Sequence, residues 1–209
     1  IKESMKYQSK ELKQFAFQVM CKVGLSEEES TVFSDSLVKA DMRGIYSHGM
    51  IRLATYAKRV EDGLVASNVT PEIVKDGLGV IAVDGKNGMG AYVGARTMKY
   101  CMVRAEKYGS CFAAVSGGNH FGYAAYFTEL AARDGMFGLA IANGPPALPP
   151  TGGIKPLLGT NPLAVSRPTS GEPLTLDMAT SAVARGKVTL ARKNGQSIPL
   201  GWGVDKDGN

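Results

Sequence analysis

The chain has 209 residues, 44% of them hydrophobic and 21% charged, with a net charge of +5; this is the makeup of a globular protein with a core, which excludes disorder. No apolar run approaches the ~20 residues of a membrane span. Basic residues are interleaved with acids, as in Lys58-Arg59-Val60-Glu61-Asp62, so no nucleic-acid stripe is present, and the mild positive excess suits a small anionic ligand.

Elements follow in order. After Ser9, a candidate N-cap, Leu12, Phe15, Ala16, Val19, Met20 and Val23 form the apolar stripe of a helix that Gly24 ends. Ser26 and Glu29 have the spacing of a capping box, and Phe33, Leu37 and Ala40 give a second stripe closed at Gly44. A third helix is predicted from about 47 to 59, placing His48, Arg52 and Tyr56 at i, i+4 and i+8 on one polar face. From residue 71 the texture changes. Strands are predicted at 79–84, 111–115, 137–142, 163–166 and 174–176, and helices at 89–108 and 121–134. The stretch 144–153 is too rich in Pro and Gly for a regular element. The expected class is mixed α/β (α+β), with a helical part over 1–70 and an α/β part over 71–209. Ile1 at the start and the turn signal Asp207-Gly208-Asn209 at the end read as cut ends, so a piece of a longer chain, truncated at its C-terminus, is expected.

Cys21, Cys101 and Cys111 are odd in number and unpaired in spacing, as expected of reduced, buried thiols in a cytoplasmic protein. Only two histidines occur, His48 and His120. They lie 72 positions apart with no carboxylate or thiol at ligand spacing, so no metal site is expected. Gly85-Lys86-Asn87-Gly88-Met89-Gly90 departs from the dinucleotide fingerprint and reads as a turn with a glycine-rich helix start. Ser47 beside His48 lacks the Gly-x-Ser-x-Gly context of a hydrolase. His120, in Ser116-Gly117-Gly118-Asn119-His120-Phe121-Gly122, follows a predicted strand, where α/β sheets place ligands. Gly159-Thr160-Asn161-Pro162 and Asp177-Met178-Ala179-Thr180-Ser181 are polar clusters able to bind hydroxyl or carboxylate groups.

Taken in order, Asp41-Met42-Arg43-Gly44, Ser47-His48-Gly49 with Arg52 and Tyr56, Asn119-His120-Phe121-Gly122, Gly152-Gly153, Gly159-Thr160-Asn161-Pro162, Asp177-Met178-Ala179-Thr180-Ser181, Gly186-Lys187-Val188 and Ile198-Pro199 with Trp202 resemble the type-2 malate/lactate dehydrogenase family. That family includes ureidoglycolate and sulfolactate dehydrogenases. The resemblance implies a non-Rossmann, sulfolactate-dehydrogenase-like fold, NAD or NADP as cofactor, and a homodimer. It implies that His120 is the acid/base and that His48 and Arg52 line the substrate pocket with Tyr56 beside them; Ser47, Asn119 and Thr160 are further substrate-side candidates. It also implies that Asn143, Gly144, Asp177, Met178 and Ala179 touch the cofactor. The expected reaction interconverts a malate- or lactate-like 2-hydroxy acid and its 2-oxo acid. Ureidoglycolate, a cyclic imine, or silent binding of a carboxylate are the alternatives.

Overall fold

A computed structural model of the chain describes residues 6–183 and 185–205. Three helices come first: α1 (Ser9–Lys22), α2 (Glu27–Met42) and α3 (Leu53–Glu61). Ser9 lies inside α1 and makes no cap; Gln8 holds that position. Ala16 and Met20 are fully buried, whereas Phe15, expected on the same stripe, points outward.

The capping box forms as the sequence predicts. Ser26 Oγ accepts the Glu29 N–H at 3.2 Å, and the Glu29 carboxylate accepts the Ser26 N–H at 2.8 Å. Glu29 does more, because its side chain is buried and also accepts the Asn68 N–H at 3.0 Å and the Val69 N–H at 3.4 Å. One carboxylate therefore ties the start of α2 to the segment leading into the first sheet. Glu29→Ala strands these buried donors and is expected to lower unfolding free energy by roughly 3 kcal/mol, read by urea denaturation; a loss under ~1 kcal/mol would show that water replaces the carboxylate.

The first sheet has the order β1 (Glu72–Gly77), β2 (Val80–Gly88), β3 (Phe112–Gly118). β1 is antiparallel to β2, and β2 is parallel to β3 through the crossover helix α4 (Gly90–Tyr108). Ile81 and Val83 are buried, while Val80 and Phe112 face outward from the opposite side of the sheet. The strand β1 was not predicted. Its residues Glu-Ile-Val-Lys-Asp-Gly are exposed but for half-buried Ile73, so no apolar alternation marks it.

The second sheet is antiparallel, with the order β4 (Gly138–Ile141), β5 (Leu163–Arg167), β6 (Leu174–Met178). Helix α5 (Ala125–Arg133) covers one face, on which Ala164 and Ser166 are fully buried. The Ser166 hydroxyl bonds those of Thr128 at 2.6 Å and Thr175 at 2.9 Å, so the polar atoms trapped beneath α5 satisfy one another. The other face carries exposed Leu139, Ile141, Leu176 and Met178, in register across the three strands. A last helix, α6 (Arg185–Lys193), was also missed by sequence periodicity.

The architecture is mixed α/β, with two small sheets and neither of them a doubly wound parallel array. One apolar cluster joins α1, α2 and α3 to the start of α4, and a second centres on α5 with Ala40, Ala95 and Ala164. The three cysteines, expected to be buried, are half-buried. Among the described residues no helix is long and apolar enough to cross a membrane, and no cluster of three or more potential metal ligands occurs.

Candidate active site

The third helix predicted from 47 to 59 is broken. Tyr46–His48 and Met50–Arg52 form two 3-10 turns, and regular α-helix begins only at Leu53. Asp41 explains the break. Its Oδ2 accepts the Met50 N–H at 2.8 Å, and a Cβ on Gly49 would lie 1.8 Å from its Oδ1, so only glycine lets the chain pass over this carboxylate. The two turns present Ser47, His48 and Arg52 from a short, pinned segment. Ser47 Oγ bonds His48 Nδ1 at 2.8 Å, and Arg52 Nε donates to the Ser47 carbonyl at 2.7 Å.

His120 enters from the loop after β3. The glycines between β2 and α4 make room for this loop rather than for a phosphate: a Cβ on Gly90 would lie 2.2 Å from the Asn119 carbonyl oxygen and 2.5 Å from that of His120. Asn119 anchors the loop. Its Nδ2 donates to the carbonyls of Asn87 (2.8 Å) and Gly88 (3.0 Å), and its Oδ1 accepts from Arg59 Nη2 at 3.1 Å. Asn119, expected on the substrate side, thus spends its amide on the protein.

These segments bring the histidines together. Their rings lie 5.6 Å apart between centroids and within 17° of parallel. Tyr56 Oη sits 2.5 Å from His120 Nδ1, and the Gly122 N–H donates to the same nitrogen at 3.3 Å. Gly122 has φ +90°, which glycine adopts readily. Burial is the largest cause depressing both imidazole pKa values; His48 falls to about 4, pushed further by His120 and Arg52, and His120 is lowered further by Arg52 and Arg59. Both rings are therefore mainly neutral at pH 7. Among the described residues, Arg52 hydrogen-bonds only through Nε, which leaves its terminal nitrogens for an anion. Arg59 and Asp41 were not singled out as site residues from sequence: the role of Arg59 depends on Asn119, 60 positions on, and that of Asp41 on a turn that the helical period conceals.

The remaining candidates form a rim at one end of the second sheet. Gly144 N–H donates to Asn161 Oδ1 at 2.9 Å, and the Thr160 carbonyl accepts the Thr180 N–H at 3.0 Å. Thr160 belongs to this rim and has no hydrogen bond to the histidine pair. Asn143 and Met178 are exposed there, and Ala179 is half-buried. The Asp177 carboxylate accepts the Ala125 N–H at 3.0 Å, so it holds the N-terminus of α5, the helix that follows the His120 loop. Two surface hollows of about 390 and 420 Å³ flank α1, and neither includes a residue of the histidine pair.

Comparison with known proteins agrees with this picture. A family model described as malate/L-lactate dehydrogenase matches residues 7–209. Malate dehydrogenase of Pyrococcus abyssi is 40% identical over 198 residues, covering 95% of this chain and 55% of that protein. Ureidoglycolate dehydrogenase (NAD(+)) of Escherichia coli K12 is 36% identical over 207 residues, covering 98% of this chain and 59% of that protein. The crystal structure of malate dehydrogenase from Entamoeba histolytica superimposes with a TM-score of 0.95 at 33% identity, over 99% of this chain and 58% of that one. The chain thus spans little more than half the length of the relatives it matches. With the fold and the ordered motifs in agreement, the chain belongs to the malate/L-lactate dehydrogenase family.

Proposed function

We propose that the protein is part or all of an NAD- or NADP-dependent dehydrogenase that interconverts a small 2-hydroxy acid, malate- or lactate-like, and its 2-oxo acid. The observation that carries this reading is the convergence of His120, His48 and Arg52. A proton-transfer group, a second donor and a forked cation with free terminal nitrogens are the groups such a substrate requires. Arg52 would hold the carboxylate. His120 Nε2 would exchange the proton of the reacting oxygen, with His48 orienting it.

The nicotinamide cofactor supplies the hydride acceptor or donor when bound. The sheet rim suits it chemically: the exposed primary amide of Asn143 can pair with a carboxamide, and the exposed Met178 thioether can pack on a ring. Gly144, Asp177 and Ala179 would shape that rim, Asp177 through its grip on α5. Assembly as a homodimer belongs to the same proposal and is supported by the outward apolar face of the second sheet, since faces of this kind are ordinarily covered.

The test is hydride transfer from NADH or NADPH to a panel of 2-oxo acids. Arg52→Lys replaces a fork by a point charge and is expected to raise KM about tenfold while kcat changes little. An unchanged KM for every carboxylate substrate removes Arg52 from the pocket.

A further inference from the structure

We propose that Tyr56 is a positioning residue that fixes the tautomer of His120 and passes its own hydroxyl proton through that ring to the substrate oxygen. The inference rests on the dehydrogenase reading and deepens it.

The geometry around one nitrogen carries it. A backbone N–H can only donate, so the Gly122 N–H at 3.3 Å marks Nδ1 of His120 as an acceptor. The neutral imidazole then carries its hydrogen on Nε2, and the Tyr56 phenol, 2.5 Å from Nδ1, must donate to it. Tyr56 has little freedom to turn away, because it is 7% exposed and its ring meets Phe33 edge-on at 5.0 Å between centroids. Among the described residues Nε2 of His120 makes no hydrogen bond, which leaves it for the substrate. The charged and titratable groups facing the pair are His48, Arg52 and Arg59. The two arginines disfavour an imidazolium and favour a phenolate, which selects between the two ways of supplying a proton.

In the reducing direction the carbonyl carbon takes the hydride from the reduced nicotinamide. The carbonyl oxygen takes the Nε2 proton while Nδ1 takes the phenol proton. The hydroxy acid and a phenolate facing Arg52 and Arg59 result. The relay resets when Nε2 takes a proton from water and Nδ1 returns its own to Tyr56. Burial lifts the phenol to about 12 against the pull of both arginines, yet a phenolate remains a far weaker base than the alkoxide it replaces. Oxidation is the reverse and starts from the phenolate, so its rate should climb with pH well above the range of histidine.

The test has two arms. Nitrogen-15 NMR of the purified full polypeptide with labelled histidine is assigned with His48→Gln and His120→Gln. His120 is expected as the Nε2–H tautomer in the parent protein and as a mixture in Tyr56→Phe. A protonated Nδ1 in the parent, or no change in the variant, overturns the tautomer assignment. In kinetics, Tyr56→Phe is expected to lower kcat by ~10²-fold and keep KM within about twofold. It should also lose the rise of oxidation rate with pH. A variant that is merely slower with the rise intact overturns the relay. Should the parent protein transfer no hydride to any 2-oxo acid, the dehydrogenase reading and the relay with it are refuted, and the NMR arm still decides the tautomer.

Discussion

Replacing His120 by alanine is expected to lower kcat by ~10²-fold or more while leaving affinity for the nicotinamide cofactor unchanged. Among the described residues the ring's hydrogen bonds run only to Tyr56 and Gly122, and it belongs to neither apolar cluster, so its removal opens no core cavity. A loss of rate in a chain with the parent melting temperature is then a loss of proton transfer. His48 offers no full substitute, because its Nδ1 is paired with Ser47 and not with the Tyr56 phenol that backs His120. Parent-like turnover by His120→Ala, followed through the absorbance of the reduced cofactor, would falsify the assignment of the acid/base.

The second large effect comes from a residue with no side chain. Gly90→Ala places a methyl carbon 2.2 Å from the Asn119 carbonyl oxygen and 2.5 Å from that of His120. Both neighbours are backbone, so no flexible side chain can swing aside. Either the first turn of α4 or the His120 loop must move, and the loop is held by the Asn119 amide on one side and Arg59 on the other. The expected result is a loss of about 1–3 kcal/mol in stability together with a fall in kcat of at least tenfold. Thermal melting and kinetics on the same sample check both. Parent values in each would mean that the loop and helix have more freedom than their packing implies.

Much of the scaffold is visible in the sequence because it is written in local chemistry. The capping box of α2, the left-handed glycine after α4 and the apolar runs of β2 to β6 are nearest-neighbour signals. β1 escaped because an exposed strand carries no apolar alternation, and α6 because a nine-residue helix with few apolar side chains gives only a short pattern. The break between the 3-10 turns and α3 escaped for another reason: a period-3.6 pattern runs through His48, Arg52 and Tyr56, and only the arrival of Asp41 under Gly49 interrupts it. The same limit applies at the site. Residue type and motif order single out His48, Arg52, Tyr56 and His120, but nothing local shows the phenol resting on Nδ1 or Arg59 holding Asn119. Gly90 illustrates the point most directly, since glycines beside a helix start invite a reading in terms of ligand when their purpose is to admit another stretch of backbone.

Helix α6 lies against the first 3-10 turn so closely that a Cβ on Gly186 would stand 2.8 Å from the Ser47 Cβ. The segment presenting Ser47 and His48 is therefore in contact with one of the last described elements. During synthesis from the N-terminus, the helical part can collapse early, but this contact must wait until nearly all of the described chain has left the ribosome. The candidate site is thus among the last features of the described chain to be completed, and its assembly reports that the helical part and the later elements have come together.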